Sequence, residues 1–163
     1  MSQPIVALVG RPNVGKSTLF NRLTGSQHAV VHDAPGTTRD RIYGSVEWRG
    51  RTFTIVDTGG IGLDESGGLQ ERIVAQAEAA IRQADVVIFV TSARDGPLGP
   101  EVSISDQLRR SEKPVLLTVN KADSPGDRLR ATDFWELGLD EPHCISSTQG
   151  TGIGDLLDLV AER

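Results

Sequence analysis

Eight consecutive residues, Gly10-Arg11-Pro12-Asn13-Val14-Gly15-Lys16-Ser17, have the spacing G-x-x-x-x-G-K-S, and each fixed position has a chemical use. Gly10 and Gly15 let the backbone turn tightly and come close to an anion. Successive N–H groups then point inward, and the helix expected next adds the positive end of its dipole. The Lys16 ammonium would reach the β and γ phosphates of a nucleotide, and the Ser17 hydroxyl would be a ligand of Mg²⁺. Nucleotide contacts are expected from Gly10, Asn13, Val14, Gly15, Lys16, Ser17 and Thr18.

Other residues have the types needed to complete such a site. Asp57 ends the alternating run Thr52 to Val56, expected as the third strand, and is followed by Thr58-Gly59-Gly60. A carboxylate there holds Mg²⁺ through water, and the Gly60 N–H can contact the γ phosphate. Asn120-Lys121-Ala122-Asp123 closes an apolar run. The Asp123 carboxylate can accept two hydrogen bonds from the N1–H and exocyclic amino edge of guanine, which adenine cannot donate from the same positions. Asn120 would brace the neighbouring loops, and the Lys121 stem would lie over the base plane. At Ser146-Ser147-Thr148, backbone N–H groups could meet the guanine O6. Between these motifs, Thr37 and Thr38 precede Arg39. Thr38 is the expected further Mg²⁺ ligand, in a loop that orders with triphosphate and relaxes after hydrolysis.

The elements that must position these groups follow from the apolar pattern. Residues 5–10 form an unbroken apolar run, as in a strand buried on both faces, and a helix is expected over 16–23 with Gly25 as its stop. Residues 26–41 lack a period and read as a long loop. Runs 42–48 and 52–56 alternate and read as a hairpin, which would form an antiparallel edge. Leu69, Ile73, Ala77, Ala80, Ile81 and Ala84 mark an amphipathic helix after a glycine-rich stretch. Residues 86–90 and 115–119 are two more buried strands, with a helix over 100–110 between them. Residues 125–137 read as one or two weak helical turns with Phe134 and Trp135 inward. A short strand over 143–145 and a closing helix marked by Ile153, Leu156, Leu157 and Val160 complete the pattern. Six strands alternating with helices define a doubly wound, mostly parallel α/β sheet, which binds ligands at the carboxyl ends of its strands.

The 163 residues suit one domain, and a net charge of −5 argues against a dedicated nucleic-acid surface. One cysteine, Cys144, excludes a disulfide framework. The three histidines, His28, His32 and His143, have no metal-ligand spacing, and Cys144 reads as core. With no signal peptide and no long apolar segment, the expectation is an intracellular, cytoplasmic protein without a membrane span. Only three of the seventeen basic residues are lysines, and two of them, Lys16 and Lys121, fall inside the motifs above.

In these motifs the chain resembles the translation-factor-related GTPases, and most closely the first GTPase domain of the bacterial Der (EngA) family. The resemblance rests on the fourteen residues from Gly10 to Leu23, on Pro35-Gly36-Thr37-Thr38-Arg39-Asp40-Arg41, on Tyr43-Gly44 with Glu47-Trp48, and on Asp57-Thr58-Gly59-Gly60-Ile61. Phe134-Trp135-Glu136-Leu137-Gly138-Leu139 and Glu141-Pro142 fit the same family. The resemblance implies a Ras-like P-loop G domain with helices on both faces of a six-stranded, mostly parallel sheet that has one antiparallel edge strand. It implies binding of GTP and GDP with Mg²⁺, GTP hydrolysis, and a role in assembly of the large ribosomal subunit. Contacts with that subunit or its rRNA would lie in further domains, the chain being expected to be the N-terminal part of a tandem-GTPase protein.

Departures from the family pattern are Ser147, where alanine is usual, and Thr91-Ser92, where aspartate is commoner. Ras-like enzymes often place a water-orienting glutamine just after the Asp-x-x-Gly motif, and here that residue is Ile61. The resemblance implies a substitute, since in related GTPases an asparagine matching Asn13 helps hold K⁺ beside the β and γ phosphates. The expected catalytic set is Lys16, Asn13, Thr38 and Gly60, acting by positioning and charge neutralisation. Two other readings stay open at this point: a nucleotide-gated partner-binding module with negligible hydrolysis, and an ATP-using P-loop kinase, which the motif from Asn120 to Asp123 disfavours.

Overall fold

The computed structural model describes residues 4–10, 14–24, 30–32, 41–57, 69–95, 99–139 and 141–162. Strand β1 (Ile5–Val9) leads through the phosphate-type loop into helix α1 (Lys16–Thr24), followed by β2 (Val30–His32), β3 (Arg41–Trp48) and β4 (Arg51–Asp57). Then come α2 (Leu69–Gln83), β5 (Val86–Ser92), α3 (Gly99–Ser111), β6 (Val115–Asn120), α4 (Pro125–Arg130), β7 (His143–Cys144) and α5 (Ile153–Ala161), with a 3₁₀ segment, Ala131–Leu137, directly after α4. One sheet has the order β2-β3-β4-β1-β5-β6-β7. β1 pairs in parallel with β4 and β5, as do β5 with β6 and β6 with β7; β3 runs antiparallel to both its neighbours.

Period-two alternation within apolar strands builds two cores, one on each face. Val6, Leu8, Val86, Ile88, Val90 and Leu116 pack with Leu19, Phe20 and Leu23 of α1 and with Ile153, Leu156, Leu157 and Val160 of α5. Ala7, Val9, Val87, Phe89, Leu117 and Val119 pack with Ala77, Ala80 and Ile81 of α2 and with Ile104 and Leu108 of α3. Because β1, β5 and β6 are covered on both sides, they are apolar over most of their length, and the polar residues Thr91, Ser92, Thr118 and Asn120 fall toward the carboxyl ends of β5 and β6.

The six expected strands are present, and a seventh, Val30–His32, lies inside the stretch that reads as loop. Three residues are too short to display a period, so only the pairing with β3 reveals the strand. The hairpin loop has two residues, Arg49 and Gly50, with φ of 51° and 80°, and Arg51 pairs opposite Trp48. Positive φ at both positions is the type I′ geometry that matches strand twist. The far end of the hairpin is tied to α5: Trp48 Nε1 donates to Asp158 Oδ1 at 2.8 Å, Arg49 pairs with the same carboxylate at 3.1 Å, and Arg51 donates to the Ala161 carbonyl at 2.5 Å. Lys113, the lysine outside the motifs, caps α2 by donating from Nζ to the carbonyls of Ile81 and Arg82 at 2.5 and 2.9 Å.

The segment over 125–137 differs from expectation in one residue. Phe134 is fully buried, whereas Trp135 is 54 % exposed. The 3₁₀ geometry explains this correction: with three residues per turn, Ala131, Phe134 and Leu137 share the inward face, and Trp135 falls off it. Replacing Phe134 by Ala is therefore expected to cost about 3–5 kcal/mol in urea unfolding. Trp135→Ala is expected to stay within about 0.5 kcal/mol of the parent.

Candidate functional site

The carboxyl ends of β1, β4, β6 and β7 bring the sequence motifs to one rim of the sheet. β4 and β5 flank β1 on opposite sides, so the chain turns away in both directions from the strand that feeds the phosphate-type loop. A side chain at Gly10 would run into the Val90 carbonyl of β5, so the loop leaves β1 in close backbone contact. At Gly15, φ is 96° and a Cβ would run into Asn120 Nδ2, so neither the conformation nor the space admits another residue. α1 starts at once, with the Leu19 N–H donating to the Gly15 carbonyl at 2.9 Å. Lys16 is buried, and its Nζ donates to the Gly10 carbonyl at 2.6 Å, spanning the loop from its last turn to its first.

Ser17 and Asp57 meet across the rim. The Ser17 hydroxyl donates to Asp57 Oδ2 at 3.4 Å, and Asp57 is buried at the end of β4, in register with Leu8 of β1. Both are hard oxygen donors of the kind Mg²⁺ takes, so Ser17 would hold the ion directly and Asp57 through water.

Asn120 joins the two halves of the site. Its Nδ2 donates to the Val14 carbonyl at 2.9 Å, and its Oδ1 accepts from the Ser147 N–H at 3.0 Å and the Ser147 hydroxyl at 2.9 Å. Lys121 then adopts φ of 62°, turning the chain so that the buried Ala122 donates its N–H to the Ile145 carbonyl. Asp123 follows at the rim. Its Oδ1 accepts from the Ser146 hydroxyl at 2.5 Å and its Oδ2 from Arg94 at 2.8 Å. Ser146 and Ser147 are buried and Thr148 is exposed. The Ser147 N–H, one of those expected to face a guanine O6, is thus bonded to Asn120.

Two residues that the motifs did not single out complete the frame. Arg22 of α1 donates from Nε to the Ser147 carbonyl at 3.0 Å and from Nη2 to the Thr148 carbonyl at 2.7 Å, fixing the loop that follows β7. Thr18, Asn21, Arg22, Ser147 and Thr148 line an open cavity of about 540 Å³ beside it. Arg94, in the turn after β5, holds Asp123. Neither has a diagnostic spacing; for Arg22 the only signal was its place in the stretch from Gly10 to Leu23. Asn13, Thr38 and Gly60, expected at the metal and the γ phosphate, lie outside the described residues, as does Ile61.

Among the described residues no cluster of His, Cys, Asp or Glu could hold a metal ion by itself. No helix among them is long and apolar enough to cross a membrane. Burial pushes the half-buried Cys144 thiol above its ordinary range, against the opposing charge of Arg128, so the thiol form is favoured.

A phosphate-type loop after β1, a carboxylate ending β4 and Asn-Lys-x-Asp ending β6, all at one rim of a doubly wound sheet, define a Ras-like P-loop G domain. The sequence profile of the family described as 50S ribosome-binding GTPase matches residues 5–121, and the chain belongs to that family. GTPase Der of Symbiobacterium thermophilum is 55 % identical over 159 residues, 97 % of this chain and 34 % of its own length. GTPase Der of Geobacillus thermodenitrificans is 53 % identical over 163 residues, 100 % of this chain and 37 % of its own. The chain thus spans about a third of the length of these curated relatives. Among solved structures, Era in complex with MgGDPNP and nucleotides 1506–1542 of 16S ribosomal RNA superposes with a TM-score of 0.77 at 29 % identity, covering 99 % of this chain and 57 % of that one.

The bracing by Asn120 has a measurable consequence. Asn120→Ala would leave the Val14 carbonyl and the Ser147 N–H and hydroxyl buried without their partner. A loss of about 2 kcal/mol or more is expected in denaturant unfolding of the nucleotide-free protein.

Proposed function

We propose that this chain is a GTP-binding domain that hydrolyses GTP to GDP and phosphate, and that the cycle serves as a switch in assembly of the large ribosomal subunit. The observation that carries the reading is the Asn120 side chain, which ties the backbone of a phosphate-type loop to the strand ends that present Asp123. One buried amide thereby sets the distance between a triphosphate and a base read by a carboxylate. In this reading Lys16 binds the β and γ phosphates. Ser17, Asp57 and Thr38 hold Mg²⁺, which when bound neutralises phosphate charge. Gly60 contacts the γ phosphate and Lys121 covers the base. Large-subunit or rRNA contacts belong to parts of a longer, cytoplasmic protein, in keeping with the share of the relatives that the chain spans.

Ile61 favours a second reading, a nucleotide-gated binding module with negligible turnover alone, because an aliphatic side chain cannot orient water. Under the first reading, turnover is slow but measurable and rises in K⁺ through Asn13. Phosphate release in matched KCl and NaCl buffers with Mg²⁺ decides between them. A clear rise in KCl supports hydrolysis assisted by Asn13, equal rates remove K⁺ from the mechanism, and no turnover in either salt supports the binding module.

Two substitutions test the site itself. Lys16→Ala is expected to abolish GTP turnover and weaken triphosphate binding at least about tenfold, since a charge-assisted contact is lost. Asp123→Asn is expected to shift preference from guanine to xanthine nucleotides, because the amide donates to the xanthine 2-oxo group; calorimetric titration with GDP and XDP reads the exchange.

A further inference from the structure

We propose that Arg94 is a positioning residue for guanine recognition, fixing the plane of the Asp123 carboxylate so that it can accept from both the N1–H and the exocyclic amino group. The inference rests on the reading of Asp123 as the base-binding carboxylate. It adds a specificity determinant from a different part of the chain.

The placement of Arg94 is built by the sheet. β5 and β6 are zipped to their ends, with Ser92 opposite Asn120 and the Ala93 N–H donating to the Asn120 carbonyl at 2.9 Å. The Ser92 hydroxyl accepts from the Arg94 N–H at 3.3 Å, and its carbonyl accepts from the Asp95 N–H at 3.3 Å, which turns the chain just beyond the strand. Two residues past Ser92 and three past Asn120, Arg94 and Asp123 therefore stand side by side, with Nη2 2.8 Å from Oδ2. The side chains of Arg94 and Asp123 are 58 % and 23 % exposed, so the pair sits at the rim where a base can reach it.

Lone-pair accounting shows what the pair does. An ionised carboxylate offers about four acceptor positions, two per oxygen. The Ser146 hydroxyl uses one on Oδ1 and Arg94 uses one on Oδ2, which leaves one on each oxygen for the two guanine donors. With both oxygens held, the carboxylate cannot rotate about its Cβ–Cγ bond. With Ser146 alone, it pivots about Oδ1 and the second base contact loses its partner's direction. An ion pair this exposed contributes little to folding stability, so its removal leaves a folded protein.

The test compares GDP with IDP, whose hypoxanthine lacks the exocyclic amino group, by calorimetric titration of the nucleotide-free protein. Arg94→Ala is expected to weaken GDP about tenfold, the equivalent of one charge-assisted hydrogen bond, and IDP less than about twofold. Arg94→Lys, which restores a charge without the planar fork, is expected to give an intermediate GDP-to-IDP ratio. Equal losses for GDP and IDP, or no loss for either, overturn the assignment while leaving guanine recognition by Asp123 standing. A parent protein that binds ADP as tightly as GDP overturns both.

Discussion

The site depends on a buried primary amide whose nitrogen and oxygen both have partners. Asn120 gives a donor to the Val14 carbonyl and takes two donors from Ser147, so the loop after β1 and the loop after β7 are held by one side chain at the end of β6. Hydrophobic packing cannot do this, because burial is non-directional and fixes no distance to a fraction of an ångström. A buried amide with every polar atom matched gives direction, and leaving any of those atoms unmatched is costly. The left-handed turn at Lys121 and the close fit of Gly15 both follow from that bridge, since each lies directly against Asn120 in the chain or in space.

The long-range architecture was legible because it rests on patterns that declare themselves over many residues. Apolar runs at β1, β5 and β6, broken within the runs only by Thr118, announce strands covered on both faces, and the spacing of Ala77, Ala80, Ile81 and Ala84 announces a helix with one buried side. The motif residues were legible for a different reason: glycine, lysine, asparagine and aspartate at fixed separations are dictated by the chemistry of a ligand rather than by packing. Val30–His32 escaped because an edge strand of three residues carries no period, and its identity as a strand resides in the partner. Trp135 departs from expectation because helical spacing of 3.6 and 3₁₀ spacing of three diverge within a single turn, which leaves this aromatic side chain exposed.

Arginine's part in the site was the least legible. Arg22 and Arg94 grip, respectively, two backbone carbonyls and one carboxylate oxygen, and these partners lie far away in the sequence. In a chain with fourteen arginines against three lysines, no single arginine stands out by its type. Their work is visible only once the strand register sets position 94 beside position 123, and α1 beside the loop after β7. Lysine behaves in the opposite way. Lys16 and Lys113 both reach backbone carbonyls with a compact ammonium at the end of a flexible stem, one across a loop and one at a helix terminus.

The tethers that complete the rim are among the longest-range contacts in the fold: Val14 and Asn120 are 106 positions apart, and Arg22 and Ser147 are 125. Closing loops of that length is entropically costly before any contact rewards it, which places such contacts late in folding and slows it. During vectorial synthesis the phosphate-type loop emerges first and waits for its brace until most of the chain has left the ribosome. A nascent chain that ends before Ser147 has the cradle without the clamp. The rim is thus completed only with the last part of the domain to be synthesised.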